Sequence, residues 1–435
     1  MKLLLISIDT LRSDHLGCYG YDWPKNRTSP FLDSLADGGV VFDRHYATDV
    51  PTPPSYTSLL HGRRAIKNGI YTFGQYVREF RCPTPSLAQR FYQEGYRTGA
   101  ISNLCVIYPW LHAGFMDIYK PGNRFQGGEA EEVTREALRW LRDFGGDDFF
   151  LFVHYWDPHC PYLRRSKEEY RSLFSPEEYR DHAPDMTCYE RDEALAKAYY
   201  DKHERIGDPQ EPEANLALYD ANIRYTDDQI RALFEGMTAL GIDTDEVLAL
   251  VTSDHGEAFG EYGFWDHYSG YRNISQVPLI AHGPGINAGR VGVYTQHVDV
   301  LPTICELAGM EREKSLCGKS MVGLLEGDGT PLRDYAMVET AFVAAQRMLV
   351  RDEVALVHTL WRADRDYIKE FELFDLRTDP DQVHDVAASR RELTDRMRID
   401  MEDWVIANAG SSALDKLRLL ACKKQMADVA FLVKK

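Results

Sequence analysis

"KLLLISID", Lys2–Asp9, is a near-continuous apolar run that ends in a carboxylate. A strand buried on both faces has this texture, because neither side of it meets water. The polar residue at its carboxyl end then stands where an open parallel sheet binds ligands. Similar runs recur at "GYRTGAIS" (95–102), "FFLFVHYWD" (149–157), "EVLALVTSD" (246–254) and "VPLIAHGPG" (277–285). Stretches with helical periodicity lie between them: "SPFLDSLADGG" (29–39), "PSLAQRFYQEG" (85–95) and "AEEVTREALRWLRDFGG" (130–146). The alternation predicts an α/β fold, a large and mostly parallel sheet sandwiched by helices. Asp9, His154, Asp157 and Asp254 fall at or near the strand ends, although they are far apart in the chain.

Two regions break the rhythm. Residues 164–215 are charged, Tyr-rich and weakly periodic, which predicts a helical insertion over the site, a candidate lid. From about residue 335 the stretches "DYAMVETAFVAAQRMLVRDEVALVHTLW" and "IKEFELFDLRTDP" read as short antiparallel strands ahead of a helix near 388–408. They predict a small α+β subdomain over 336–435. Its amphipathic tail, "ALDKLRLLACKKQMADVAFLVKK", suits packing on the body or on a second subunit, a route to a homo-oligomer.

The chain of 435 residues is 44% hydrophobic and 12% aromatic, enough for a sizeable core. Its formal charge of −18 argues against a sequence-independent nucleic-acid binder. An anionic small-molecule substrate must then find a local positive site against the overall field. The 8 cysteines are scattered with no CxxC pair, so neither a disulfide framework nor a zinc knuckle is indicated. The N-terminal apolar run is too short for a signal peptide, and no run reaches the ~18 apolar residues of a membrane span. These features predict a soluble, reduced, cytoplasmic protein with no membrane partner.

In "TSDHGEAFGE" (252–261), an Asp-His pair followed by Gly at a strand end suits a divalent metal. Asp9 is a third candidate ligand. An Asp capping a turn, with a His bonded to it, reads the same way when taken alone. In "VPTPPSYTSLLHGR" (50–63), prolines at the start of a helix make Thr52 a candidate N-cap. A hydroxyl there faces the positive end of the helix, and a metal on Asp9, Asp254 and His255 would make it a nucleophile. An ordinary N-cap threonine is the plainer alternative.

Ordered motifs carry a resemblance across almost the whole chain. "DTLRSDHLGCYGY" (9–21), "TSPFLDSLADGGVVFDRHYAT" (28–48), "TPPSYTSLLHGR" (52–63) and "FVHYWDPHCPY" (152–162) are matched in sequence order. So are "VTSDHGEAFGEYGFWDH" (251–267), "VPLIAHGPG", "HVDVLPTICELAGM" (297–310) and "FELFDLRTDPDQ" (371–382). They resemble the sulfatase branch of the alkaline phosphatase superfamily. The resemblance implies that fold for a catalytic domain over residues 1–335, with metal ligands Asp9, Thr52, Asp254 and His255.

The departures are equally informative. The family's nucleophile is a formylglycine made from a Cys or Ser in Cys/Ser-x-Pro-x-Arg; here that position is Thr52, and the motif's Arg is Tyr56. The Lys-x-His that grips sulfate aligns with Asn103-Leu104-Cys105, and the lysine beyond the metal pair aligns with His267. Threonine cannot become formylglycine. It resembles instead the nucleophile of phosphodiesterases, nucleotide pyrophosphatases and phosphoethanolamine transferases. A phospho-threonine can be hydrolysed at phosphorus, whereas release of sulfate from a formylglycine hydrate needs the aldehyde. His159 and His267 are then the catalytic partners, and Asn103, Arg12 and Tyr56 stand at substrate-binding or oxyanion positions. An imidazole in the ligand set favours Mn²⁺ or Zn²⁺, with Ca²⁺ or Mg²⁺ as alternatives. A second metal at Asp157, His159 and His267 is a further option. The expected activity is hydrolysis of phosphoric mono- or diesters. The alternatives are sulfate-ester hydrolysis by unmodified threonine, phospho-group transfer to an alcohol, and a binding protein that has lost catalysis.

Overall fold

The computed structural model describes residues 1–75, 77–122, 127–182, 186, 193–261, 264–311, 313–362, 368–409 and 415–423. Eight strands form the main sheet. At its centre, Lys2–Ile8 lies between Phe149–Tyr155 and Val247–Thr252, parallel to both. Arg97–Ile101 and then Asp117–Tyr119 extend the sheet in parallel on one side. On the other side Leu279–His282 runs antiparallel to Val247–Thr252. The run at 277–285 is therefore a strand, but one of opposite direction to the centre.

Alternate residues of each central strand enter different cores, which is why the runs are nearly continuous in apolar residues. Leu4, Ile6 and Ile8 join Leu151, Val153, Ala249 and Val251 on one face. Leu3 and Leu5 join Phe150, Phe152, Leu248 and Leu250 on the other. The helices Ala130–Phe144 and Pro212–Ala239 cover the first face, and Thr52–His61, Leu87–Gln93 and Val300–Leu307 cover the second. Each fully buried Leu or Phe contributes roughly 1.5–3 kcal/mol, so every central strand is held from both sides.

The stretch expected as a helical insertion, 164–215, is helical in parts. Its first half holds short helical turns at Tyr162–Arg165, Glu168–Arg171 and Pro176–His182. The helix Glu193–Ile206 follows, and residues 183–185 and 187–192 between them lie outside the described residues. The next helix, Pro212–Ala239, belongs to the main body: Leu216, Tyr219, Ile223, Ile230 and Leu233 are core residues.

A second sheet has five strands in the order Phe371–Asp375, Val354–Arg362, Ala344–Arg351, Tyr335–Ala341 and Asp49–Val50. The first four are antiparallel neighbours, as the sequence pattern predicts. The fifth comes from the N-terminal part of the chain and pairs in parallel, Glu339 with Asp49 and Thr340 with Val50. A chain division at residue 335 therefore cuts across a sheet. The helix Arg391–Ala409 closes one face through Met397, Met401 and Trp404. Buried Arg347 bonds Glu339 and also Asp415, which tethers the start of the C-terminal segment. The tail beyond residue 423 lies outside the described residues. Among the described residues no helix is long and apolar enough to cross a membrane.

Candidate active site

The carboxyl ends of the three central strands meet the start of the helix Thr52–His61. Asp9 follows the first strand, and its N–H bonds Tyr155 O at 2.8 Å. Thr10 then turns the chain aside with φ 58°, a left-handed conformation costly for a β-branched residue. That turn presents the Thr10 N–H to Asp254 Oδ1 at 3.3 Å, and His255 N–H reaches the same oxygen at 2.9 Å. Gly256 allows the loop to fold back: a Cβ there would stand 2.1 Å from Asn273 O. Ser55 of the helix donates to Asp254 O at 2.6 Å, tying the helix to this loop.

Asp9, Asp254 and His255 each offer a donor atom within 4.8 Å of the others, and all three are fully buried. Among the described residues, neither oxygen of Asp9 has a hydrogen-bond partner, nor has Asp254 Oδ2. Burial alone raises a carboxyl pKa. At Asp9, nearby His154, His159 and His255 outweigh it and hold the group below its usual range. At Asp254, burial and the Asp9 charge push the group well above it. Orphaned carboxylate oxygens facing one imidazole form a donor set suited to a divalent cation.

The His255 Nδ1–H donates to Gly256 O at 2.9 Å, which leaves the Nε2 lone pair on the other edge of the ring. The Thr52 Oγ1 lies 3.1 Å from that Nε2. Burial, reinforced by His267, lowers the His255 pKa to about 3, so the imidazole is neutral and able to ligate. Thr52 is the first helical residue and Pro51 the N-cap, with no side-chain cap bond. The N-cap expectation for Thr52 is therefore corrected. Pro51 occupies that place, and the threonine hydroxyl meets His255.

His267 stacks on His255 with ring centroids 4.4 Å apart, and His159 lies 5.1 Å from His267. His267 Nδ1 is 3.1 Å from Glu257 Oε1, and Glu257 Oε2 is 3.1 Å from the Tyr162 hydroxyl. Burial and His159 lower the His267 pKa to about 3; burial and Asp266 raise that of Glu257 to about 8. Glu257 was visible within the "TSDHGEAFGE" motif, although its pairing with His267 depends on the loop between them. Asp266, Cys160 and Glu257 form another acidic group, and Lys202 of the helix Glu193–Ile206 bonds Asp266. No sequence signal marked Lys202, because it sits in the weakly periodic region.

The remaining candidates are placed differently. Arg12 is committed to Asp14 at 2.9 and 2.8 Å, to Glu261 and to Glu257 O. Tyr56 is fully buried, its hydroxyl 2.8 Å from Ser7 Oγ and its ring against His154. It supports the strand end from behind. Asn103 is buried at the head of the short helix Leu104–Ile107. His154 Nε2 approaches Asp9 Oδ2 at 3.4 Å, while its Nδ1 meets Ser102 Oγ at 3.3 Å. Asp157 does not converge with His159 and His267 as a metal cluster. Burial raises its pKa to about 6, with Arg165, Glu129 and Lys167 among the charges acting on it.

This constellation can be compared with known proteins. The sulfatase family profile matches residues 2–310. The chain belongs to the sulfatase family. A second profile, N-sulphoglucosamine sulphohydrolase, C-terminal, matches residues 260–405. Iduronate 2-sulfatase of Mus musculus is 27% identical over 343 residues, covering 66% of this chain and 60% of that protein. The chain thus spans about 60% of the length of that sulfatase. Choline-sulfatase of Rhizobium meliloti is 24% identical, covering 85% of this chain and 79% of that one. The crystal structure of phosphonate monoester hydrolase of Agrobacterium radiobacter shares the fold with a TM-score of 0.73 at 20% identity. It covers 94% of this chain and 95% of the other. Sulfatase-family enzymes hydrolyse ester bonds and use a divalent metal, and the Asp9, Asp254 and His255 cluster of this member fits one.

Proposed function

We propose that this sulfatase-family protein hydrolyses phosphoric esters, diesters or monoesters, with Thr52 as nucleophile. The observation that carries the proposal is the Thr52 hydroxyl, 3.1 Å from the ligating edge of His255, in a motif that resembles the one where the family makes formylglycine. A β-branched alcohol cannot be converted to an aldehyde there, so it must act as an alcohol. Asp9, Asp254 and His255 would hold a divalent cation, whose charge would lower the pKa of the Thr52 hydroxyl.

The chain's own groups divide the remaining work. Thr52 Oγ forms the bond to phosphorus as the bond to the ester oxygen breaks, and the proton that the hydroxyl gives up leaves on the ester oxygen as the product alcohol. His267, oriented by Glu257 through Nδ1, offers its Nε2 edge at this step, and His159 lies beside it. Water then attacks the phospho-threonine at phosphorus and regenerates the alcohol. An alcohol acceptor at that second step would make the enzyme a transferase. The sulfatase names of relatives favour sulfate esters instead, and the unmodified threonine opposes them.

The test is a panel of aryl phosphate diesters and monoesters, phosphonates and sulfates with matched leaving groups, assayed with Mn²⁺, Zn²⁺, Mg²⁺ and Ca²⁺. Turnover of a phosphorus ester above the sulfate supports the proposal, and a preference for the sulfate overturns it. Product analysis with glycerol present separates hydrolysis from transfer.

A further inference from the structure

We infer that a cationic cleft between the loop 69–81 and the C-terminal helical residues 416–423 binds a small organic anion with two phosphate groups, at a site separate from the metal cluster. Such a site is independent of which ester the catalytic centre hydrolyses.

Local sequence ties down both walls of the cleft. Gln75 clamps the loop from within: its Oε1 accepts from the Tyr71 N–H and from the Thr72 N–H at 3.0 Å, and its Nε2 donates to Gly69 O at 3.0 Å. Gly69 has φ 90°, and a Cβ there would stand 2.4 Å from Glu79 O, so the loop closes on a glycine. At the loop's end the Arg81 N–H bonds Asn68 O at 2.6 Å. The opposite wall is held by Asp415, which Arg347 anchors and which accepts from the Arg418 N–H at 3.3 Å. Leu417 and Ala421 of that wall join Tyr71, Met337 and Leu349 in a core on one face of the second sheet. Tyr271 and Ile274, from the loop beyond the metal pair, pack with Val338 and Val350 on the other face. The sheet therefore stands between the cleft and that loop.

The cleft has a volume of about 430 Å³, the size of a small-molecule site. Arg78 and Arg81 enter it from the loop and Lys416 and Lys423 from the helix; among the described residues Glu79 is the one acid in the lining. This concentration of positive charge belongs to a chain of formal charge −18. Arg78 pairs with Glu79 at 3.1 Å, and among the described residues no ion pair is formed by Arg81, Lys416 or Lys423. Burial lowers the Lys416 pKa, and Arg81 and Lys67 lower it further, so like charges crowd this ammonium. An anion seated among them relieves that repulsion. Two phosphate monoesters carry about −1.5 to −2 charge each at pH 7, which matches the excess of cations over acid here. Leu419 and Leu420 add apolar surface for a carbon skeleton between the phosphates.

Isothermal titration in EDTA tests the site, because chelation removes the cation that would draw an anion to the catalytic centre. The probes are fructose bisphosphate, fructose monophosphate and orthophosphate at a fixed ionic strength of about 0.1 M. The bisphosphate should bind about tenfold more tightly than the monophosphate, since each exposed charge pair contributes about two- to fivefold. Lys416→Gln and Arg81→Gln should each weaken the bisphosphate by about two- to fivefold, and the double variant by about tenfold. Thermal melts accompany each variant, and Arg81→Gln, on the exposed part of the loop, decides the matter if the Lys416 variant unfolds. No bisphosphate binding, equal affinity for the bisphosphate and the monophosphate, or an affinity unchanged in Arg81→Gln overturns the site.

Discussion

Replacing Thr52 by alanine separates chemistry from folding more cleanly than most nucleophile substitutions. Loss of a threonine N-cap costs about 1 kcal/mol. That cost does not apply here, since Pro51 is the N-cap and the Thr52 hydroxyl makes no cap bond. What alanine removes is one hydrogen bond of 3.1 Å to a neutral imidazole, about 0.5–1.5 kcal/mol. Alanine is also the better helix former. The melting temperature should therefore fall by no more than about 2–4 °C. Turnover should fall by several orders of magnitude, about 10⁴-fold or more, because the group that forms the bond to phosphorus is gone. Thr52→Ser keeps the oxygen but loses the methyl that limits χ1, freeing about three rotamers. It should retain activity within about tenfold of wild type. The assay is steady-state hydrolysis of an aryl phosphate diester by the three proteins, alongside thermal melts. An alanine variant within tenfold of wild type refutes Thr52 as nucleophile.

The buried carboxylates make metal binding measurable as stability. Mn²⁺ or Zn²⁺ at about 100 times its dissociation constant should add about 2.7 kcal/mol to the fold, read as a rise in melting temperature. Asp254→Asn relieves the repulsion with Asp9 while keeping an acceptor for the Thr10 and His255 N–H groups. It should raise the metal-free melting temperature and abolish most of the metal-induced rise; a full metal response in that variant excludes Asp254 as a ligand. Asp227 accepts from the Phe31 and Leu32 N–H groups, yet burial raises its pKa to about 7 from 3.8. For a raised carboxyl, stability is present below the unfolded value and is lost as pH rises toward the folded one. Asp227→Asn should therefore gain stability relative to wild type between pH 4 and 7, and a flat difference in urea midpoints would contradict this. Diesters should exceed matched monoesters in kcat/KM at neutral pH, since Arg12 and Lys202 are already paired with carboxylates. His255 and His267 are also neutral there, with pKa values near 3. A monoester preference above tenfold would show a cationic group that this account omits.

The fold was legible because burial on two faces leaves a mark on sequence. The runs at 2–9, 149–157 and 246–254 are apolar over both alternating sets of positions along most of their length, and the structure places them at the sheet centre with side chains alternating between two cores. Strand direction left no such mark. The run at 277–285 looks like its neighbours, yet Leu279–His282 is antiparallel. Two-residue strands also escape periodicity. Asp49–Val50 is too short to show alternation, and its pairing with Tyr335–Ala341 is what carries the chain from one sheet to the other.

At the site, motif reading could find which side chains stand at strand ends, but it could not tell which of them are already occupied. Arg12 is next to the right residues in sequence and has the right charge for an oxyanion. Two carboxylates and a carbonyl take its guanidinium, and those partners lie both two residues and about 250 residues away. Tyr56 follows the same logic, since replacing a motif arginine by a phenol that bonds Ser7 removes a cation from behind the nucleophile. These are the same change in two places. At Arg12 the positive charge is neutralised by acids of this chain, and at Tyr56 it is absent from the aligned position. A cation held by Asp9, Asp254 and His255 would supply positive charge to an anionic ester. On the proposed reading, Thr52 beside that cluster and the loss of these two cations belong to one arrangement, in which a bound metal would both activate the hydroxyl and offer charge to the ester.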